Sequence, residues 1–378
     1  MRTTQKLIKS GRVARGEVAA VGERFHHRGR GAVSNQTGRF ERETREAHDD
    51  GWGTIEEEAA RLKTTLRKET PRKIITFNRS PDIPFDRTIN PYRGCEHGCV
   101  YCFARPTHAF HGLSAGLDFE SKLFYKPTGP RLLEHELSRP SYVPRPVALG
   151  MNTDAYQPIE KKLRLTRDFL EILSAHNHPV TLLTKSAMIQ RDIDILAPMA
   201  AKGLCRVGVS ITTLDGKLAR AMEPRAAAPR LRFQTVRALS DAGIPTTVMT
   251  APIIPALNEN EIETLLNAAA DHGAFRAGYV LLRLPHELKD IFHEWLVQHY
   301  PDRAARIINI LREMRGGKDY DAEWFQRGKG TGERARFIAM RFAKAAKRAG
   351  LNSIDPPPLR TDLFQPPIIQ GQQYRLNV

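Results

Sequence analysis

Residues 90–106 read NPYRGCEHGCVYCFARP. Three of the chain's four cysteines, Cys95, Cys99 and Cys102, fall within eight positions, with three and then two residues between them. Thiolates are soft ligands, suited to iron–sulfur clusters or to zinc. A structural zinc site normally takes four ligands and C-x-x-C pairs. Here a fourth ligand would have to come from His97, His108 or His111. Three ordinary buried cysteines are a third reading, and the charged, glycine-punctuated loop argues against it. Gly94 and Gly98 permit the tight backbone turns that wrap a cluster.

Outward from this loop, short apolar runs alternate with amphipathic segments. RTINPYR (87–93) precedes it. PVALGMN (146–152), PVTLLTK (179–185), RVGVSIT (206–212), TTVMTAPII (246–254) and GYVLLRL (278–284) follow. These runs are continuous rather than alternating, the mark of strands covered on both faces. FESKLFYK (119–126) is an additional strand candidate between the first and second. The intervening helices are TRDFLEILSAH (166–176), IQRDIDILAPMAAKG (189–203), RLRFQTVRALSDAG (230–243) and ENEIETLLNAAADHG (259–273). Gly203, Gly243 and Gly273 stand where helix-terminating glycines belong. Six strands alternating with helices predict an α/β fold with right-handed crossovers. An open doubly wound sheet and a partial barrel both fit the count, and either places function at the C-terminal strand ends. Residues 287–315 and GERARFIAMRFAKAAKRAG (332–350) read as helices, and PPPLRTDLFQPP (356–367) as an extended tail. TIEEEAARLKTTLRK (54–68) predicts a short polar helix, and residues 1–50 an extended or disordered arm.

The chain has 378 residues, 41% of them hydrophobic, with 27 glycines and a net charge of +16. That composition excludes a fully disordered chain, a collagen and a disulfide scaffold. The charge is uneven: +7 in residues 1–80, +4 in 81–315 and +5 in 316–378. Basic flanks around a nearly balanced core are a nucleic-acid signal, because Lys and Arg release counterions from phosphates. A solvated Arg-rich surface is the plainer reading. No apolar run of 18 residues predicts a membrane helix, and the basic N-terminus lacks a signal-peptide core. Sparse cysteines point to the cytoplasm.

The C-x-x-x-C-x-x-C loop, with aromatic Tyr101 before its last cysteine, resembles that of radical S-adenosylmethionine (radical SAM) enzymes. In that family the loop follows the first strand of a partial (β/α)6 barrel, as the position of RTINPYR would have it. The resemblance covers about residues 75–315. It divides the chain into an arm (1–70), a barrel core (71–315) and a basic helical, Pro-rich extension (316–378). It implies that Cys95, Cys99 and Cys102 hold three irons of a [4Fe–4S] cluster. The fourth iron is then left for the amino and carboxylate groups of S-adenosyl-L-methionine. Reductive cleavage yields a 5′-deoxyadenosyl radical, with a flavodoxin or ferredoxin as reducing partner.

TDAYQPIEKKLRLTR (153–167), VTLLTKS (180–186), RDIDIL (191–196) and RVGVSITTLD (206–215) resemble the branch related to spore photoproduct lyase, a DNA-repair enzyme. RGRGAVSNQTGRFE (28–41) resembles the arm of a bacterial subgroup within it. The resemblance implies that Asp154, with Asn152 and Thr153, meets the methionine amino group. Lys185 and Ser210 would meet its carboxylate or the ribose, and residues 251–255 would line adenine, which the Tyr101 backbone would also touch. Spore photoproduct lyases carry a hydrogen-donating Cys just before this element, where ungapped matching puts Met151, a thioether with no S–H to give. Cys205, at the start of a strand, reads as a buried structural residue at the opposite end of the barrel. Plainer roles compete at each position. Asp154 could cap a turn, Lys185 could pair with Asp192, Glu160 could cap a helix and Arg283 could form a structural ion pair. His26 and His27 read as solvated arm, His97, His108 and His111 as neighbours of the loop, and Tyr92 and Tyr156 as packing residues. Two other classes stay open: a zinc-stabilised nucleic-acid-binding protein and an iron–sulfur electron-transfer protein.

Overall fold

The computed structural model describes residues 29–41 and 62–368. Its strands are β1 (Thr65–Lys68), β2 (Ile75–Phe77), β3 (Arg87–Ile89), β4 (Tyr92–Arg93), β5 (Lys122–Tyr125), β6 (Val147–Leu149), β7 (Val180–Thr184), β8 (Cys205–Ser210), β9 (Thr246–Ile253) and β10 (Arg276–Leu281). One sheet runs β10-β9-β8-β7-β6-β3-β2. Its six members from β3 to β10 are parallel, and β2 lies antiparallel on the edge. Each crossover adds its strand beside the last one. A doubly wound sheet would reverse order at a switch point, and this one never does. The fold is the partial (β/α)6 barrel: an arc with β2 and β10 as its two edges among the described residues.

Register fixes the two faces of the arc. Val180 pairs with Cys205, Leu182 with Val207 and Thr184 with Val209. Their apolar side chains are buried with Phe169, Leu173, Met199, Val236 and Leu266 of the surrounding helices. The opposite face carries Thr181, Leu183, Arg206, Gly208, Ser210, Thr247 and Met249. Along β7 and β9 these inward residues are only half-buried, so burial alternates. The continuous apolar runs predicted cover on both faces. That holds for β3 and β6 and for most of β8, whose inward Gly208 and Ser210 are buried, whereas the inward residues of β7, β9 and β10 are half-buried toward the lumen.

The helices flanking β7 to β10 are Leu165–Ala175, Ile193–Ala201, Pro229–Asp241 and Ile262–Asp271. Gly203, Gly243 and Gly273 follow the last three with positive φ, as expected. Three local expectations are corrected. RTINPYR splits: β3 belongs to the barrel, whereas β4 joins β5 and β1 in a separate sheet of order β1-β5-β4. FESKLFYK begins as the end of a helix, Leu117–Ser121, and its strand β5 lies in that small sheet. Thr65–Lys68, predicted helical, is β1 parallel to β5. The rest of that segment up to residue 61 lies outside the described residues. The sixth barrel strand also begins two residues earlier than predicted.

Beyond the helices Leu288–His299 and Pro301–Glu313 the chain keeps to the core. Residues 316–331 run along the β10 edge, where Leu281 N–H donates to Gly328 O at 2.8 Å. Arg327 then grips Asp82, in the β2–β3 connection, with Nε at 2.6 Å. This segment therefore bridges the two edges of the arc. The helix Gly332–Arg348 packs on Ile262–Asp271 through Arg341 and Glu263, 2.6 Å apart. The Pro-rich tail crosses the N-terminal strand ends. Asn352 pairs with the Ala277 backbone at 3.0 Å in both directions. Asp355 meets Arg276, Pro357 O meets Arg206, and Arg360 N–H reaches Gly203 O. The tail is thus anchored at the N-terminal ends of β8 and β10. No helix among the described residues is long and apolar enough to cross a membrane.

Candidate functional site

The cysteine loop leaves β4 at the C-terminal end of the arc. Cys95 N–H donates to Phe119 O at 2.9 Å, Val100 N–H to Met222 O at 3.0 Å and Cys102 N–H to Cys99 O at 3.2 Å. Gly94 and Gly98 have φ of 73° and 69°, the left-handed backbone expected of them. Cys95 and Cys99 are buried, and Cys102 is half-buried. Burial pushes the Cys99 thiol up to about 12, against the pull of Lys185. Burial, the Asp154 carboxylate and the other two thiols push Cys95 well above the usual range. Cys102 packs against both the hydrophobic cluster that contains Cys95 and the one that contains Cys99, so the three cysteines are neighbours in space. Among the described residues, no three His, Cys, Asp or Glu side chains are grouped to hold a single metal ion.

Beneath the loop lies a buried ion pair, Arg105 with Glu120, neither exposed at all. Arg105 also donates to the carbonyls of Cys99 (2.8 Å), Ala115 (3.0 Å), Gly116 (3.0 Å) and Gly98 (3.2 Å). Glu120 in turn accepts from Gly31 N–H at 3.0 Å and Ala32 N–H at 2.8 Å. The described part of the N-terminal segment is therefore a strap over the loop, not a detached arm. Its approach is so close that a Cβ on Gly31 would collide with the Gly98 carbonyl oxygen. Farther along, Asn35 pairs with Asp118, and Ser34 and Gln36 donate to Glu294. The strap has no hydrophobic period. It is held by hydrogen bonds, which is why its sequence reads as arm.

Asp154, just past β6, joins three elements. Oδ1 accepts from Thr184 Oγ1 at 2.7 Å and Tyr156 N–H at 2.9 Å, and Oδ2 from Lys185 N–H at 2.8 Å. His97 of the cysteine loop places Nδ1 3.3 Å from Oδ2. Burial alone would raise this carboxyl, but His97 and the donors from Lys185 and Thr184 hold it down at about 2. Its neighbours are also tied: Asn152 N–H donates to Asn90 Oδ1 at 2.9 Å, and Thr153 Oγ1 to Tyr92 O at 3.2 Å.

Lys185, Ser210 and Tyr101 come together as the sequence suggests. Lys185 Nζ donates to Ser210 Oγ at 3.1 Å and lies 5.7 Å from the Tyr101 ring centre. The Tyr101 hydroxyl donates to Glu223, a buried carboxylate that also accepts from Thr212 Oγ1 at 2.9 Å and pairs with buried Arg232. Burial would raise Glu223, and Arg232 and Lys185 bring it below its usual value. Sequence reading missed Glu223, Arg232, Arg105 and Glu120. The only local signal was charge inside segments destined for burial, as in MEPR (222–225).

The plainer roles hold at Glu160, Tyr156 and Cys205 but not at Lys185 or Arg283. Lys185 does not pair with Asp192, which takes Arg167 at 3.0 Å and Arg191 at 2.8 Å. Glu160 accepts from Thr166 N–H at 3.0 Å at the start of Leu165–Ala175, and also from Tyr92. Tyr156 donates to Asp192 at 3.0 Å. His108 contacts Lys122 O at 2.9 Å and packs on Phe119. Cys205 is buried in the main core at the start of β8, the opposite end of the barrel from the loop. Met151 is half-buried just past β6. Arg283 has no carboxylate partner among the described residues, and Tyr320 accepts from it at 3.3 Å. His26 and His27 lie outside the described residues.

A family model described as the radical SAM superfamily matches residues 89–269. An uncharacterized protein of Mycobacterium tuberculosis is 35% identical over 241 residues, 62% of this chain and 71% of the relative. One from Methanocaldococcus jannaschii is 27% identical over 247 residues, 65% of this chain and 88% of the relative. Among solved structures, a spore photoproduct lyase aligns with a TM-score of 0.54 at 17% identity, covering 77% of this chain and 82% of that one. A form of that enzyme with bound AdoMet and dinucleoside spore photoproduct gives 0.55 at 16% identity over the same shares. At that identity the likeness is one of fold.

Proposed function

The chain belongs to the radical SAM superfamily, and from that premise we propose that it is an enzyme holding a [4Fe–4S] cluster on Cys95, Cys99 and Cys102. S-adenosyl-L-methionine would bind beside the cluster, for hydrogen abstraction from a nucleic-acid substrate in a lyase-like reaction. The observation that carries the reading is the loop itself: three cysteines packed as neighbours at the C-terminal end of the parallel arc. The donor set fits the group. Soft thiols suit iron–sulfur ligation, and the fourth cysteine, Cys205, lies at the far end of the barrel. Three ligands leave one iron for an exchangeable partner, whereas electron-transfer clusters usually take four. When bound, the cluster supplies the electron that cleaves S-adenosyl-L-methionine to the 5′-deoxyadenosyl radical.

The chain's own groups bind and orient. Lys185, with Ser210 beneath it, offers a cation at the ends of β7 and β8 for a carboxylate or ribose hydroxyl. Asp154 stays ionised beside Cys95, which favours an ammonium group next to Asn152 and Thr153. Tyr101, fixed through Glu223 and Arg232, backs Cys99. The segment 316–331 spans the edges of the arc beside this site through Leu281 and Asp82. The basic flanks and the likeness to a DNA-repair fold support nucleic acid as substrate. With Met151 in place of a thiol, the photoproduct reaction itself is not assigned. A flavodoxin or ferredoxin in the cytoplasm would supply electrons.

Anaerobic reconstitution tests the reading. It should give about four irons per chain and, after reduction, 5′-deoxyadenosine from S-adenosyl-L-methionine. Replacing any of Cys95, Cys99 or Cys102 by Ala should abolish iron retention, and Cys205→Ser should not. A loaded cluster that never cleaves the cofactor overturns the reading, and one zinc without iron favours the zinc-stabilised alternative. Nucleic-acid binding should weaken steeply with salt.

A further inference from the structure

Two arginines stand unmatched at the mouth of the lumen. Arg283 follows β10 by two residues, and Arg315 follows the helix Pro301–Glu313 by two. Arg315 is 4% exposed. Its Nη2 donates to Leu282 O at 2.6 Å, while its Nη1 is buried without a hydrogen-bond partner. Arg283 likewise has a buried Nε with no partner. Tyr320 lies between them: its hydroxyl accepts from Arg283, and its ring centre is 6.0 Å from the Arg315 guanidinium. On its other side Arg283 lies 5.2 Å from the ring centre of Phe103, the residue next to Cys102. Phe103 is 47% exposed, so part of its ring is open.

Other buried arginines differ: Arg87 pairs with Asp86, and Arg30, though without an ion pair among the described residues, donates to Glu120 O, Leu62 O and Thr64 Oγ1. Arg105 is neutralised by Glu120, and Arg232 by Glu223. Among the described residues neither Arg283 nor Arg315 forms an ion pair. The carboxylate that Arg315 senses belongs to Asp321, which accepts the Glu323 N–H at 2.9 Å. Placing two guanidinium groups together, partly desolvated and with N–H donors unused, is unfavourable unless an anion joins them. Planar guanidinium forks suit the oxygens of a phosphate, and an aromatic neighbour suits a group attached to it.

We propose that Arg283 and Arg315, with Tyr320 and Phe103, form a phosphate-binding subsite that holds the substrate at the mouth of the lumen beside the cysteine loop. The proposal rests on the enzymatic reading above, because the subsite would present a phosphate-bearing substrate to that loop. The phosphate could be a diester within a nucleic-acid backbone or a monoester on a smaller molecule.

The test uses the full-length, cluster-loaded protein without cofactor or reductant, so it is independent of turnover. Dimethyl phosphate and inorganic phosphate are titrated separately and followed by phosphorus NMR line width, with acetate as competitor. Saturable binding is expected, weakened at least tenfold by Arg283→Gln, or about 1.4 kcal/mol, and less by Arg283→Lys. Arg315→Lys should also weaken it, and because Arg283 is only half-buried, the first variant stands if the second fails to fold. Tighter dimethyl phosphate binding identifies the diester source, and tighter inorganic phosphate binding the monoester. Absence of saturable binding, equal binding by Arg283→Gln, or equally effective competition by acetate each overturns the proposal. Cofactor cleavage by a protein that ignores phosphate overturns the subsite alone. Phosphate binding without cofactor cleavage overturns the enzymatic reading alone.

Discussion

Glu120→Gln is the sharpest test of how the cysteine loop is held. The change preserves shape and removes a charge. Glu120 presently accepts from Gly31 N–H, Ala32 N–H and the Arg105 guanidinium, all fully buried from water on its side. A glutamine keeps one acceptor oxygen and turns a donor toward at least one of these donors. Arg105 retains its four carbonyl acceptors but loses its counter-charge. Breaking a buried pair by removing one partner costs about 3–5 kcal/mol. At 1.4 kcal/mol per decade, that opens the strap about 140- to 3700-fold more often. Hydrogen exchange read by mass spectrometry on peptides covering residues 29–36 and 95–106 reports it directly. Both peptides should lose protection together, because Arg105 ties the loop carbonyls to the same carboxylate. Exchange within about threefold of wild type in the strap, a difference below about 0.7 kcal/mol, would show that the ion pair does not hold it.

Gly31→Ala should be worse for the strap than its volume implies, since the new methyl meets the backbone of Gly98. Lowered iron retention after reconstitution is expected, and normal retention would refute the close approach. His178 is fully buried between Tyr142 and Pro179, and burial holds it at about 4. The unfolded chain binds this proton near pH 6.5 and the folded chain does not. Stability should therefore fall as pH drops from about 6.5 toward 4, and a His178→Gln variant should show a shallower thermal-midpoint slope over that range. Arg327→Ala should release the bridge between β10 and the β2–β3 connection. Faster proteolysis within residues 316–331 checks it, and an unchanged cleavage pattern would sink it.

The barrel was legible because its strands and helices follow local rules: short β-branched runs, amphipathic helices and terminating glycines. The cysteine loop was legible because its chemistry is compressed into eight residues. What escaped was non-local. The partners of Arg105 and Arg232 are a single carboxylate each, and no periodicity announces a buried pair. The strap escaped because hydrogen bonds to Glu120, Asp118 and Glu294 hold it, and its buried residues Ala32 and Val33 follow no period. Reading the strands as covered on both sides failed only along β7, β9 and β10: Thr181 and Thr247 face the lumen half-buried, yet sit in runs apolar enough to resemble a core.

The strap also imposes an order of events during synthesis. Its anchors come from distant parts of the chain: Glu120 lies 88 residues after Ala32, and Glu294 lies 260 after Ser34. A chain emerging from the ribosome N-terminus first has residues 29–41 waiting while the cysteine loop, the helix bearing Glu120 and then the whole parallel arc are made. Closing loops of that length is entropically unfavourable until the distant contacts exist to offset it. The strap can therefore close in two stages: its contacts to Glu120 become available soon after the cysteine loop is made, and those to Glu294 only once nearly the whole arc exists.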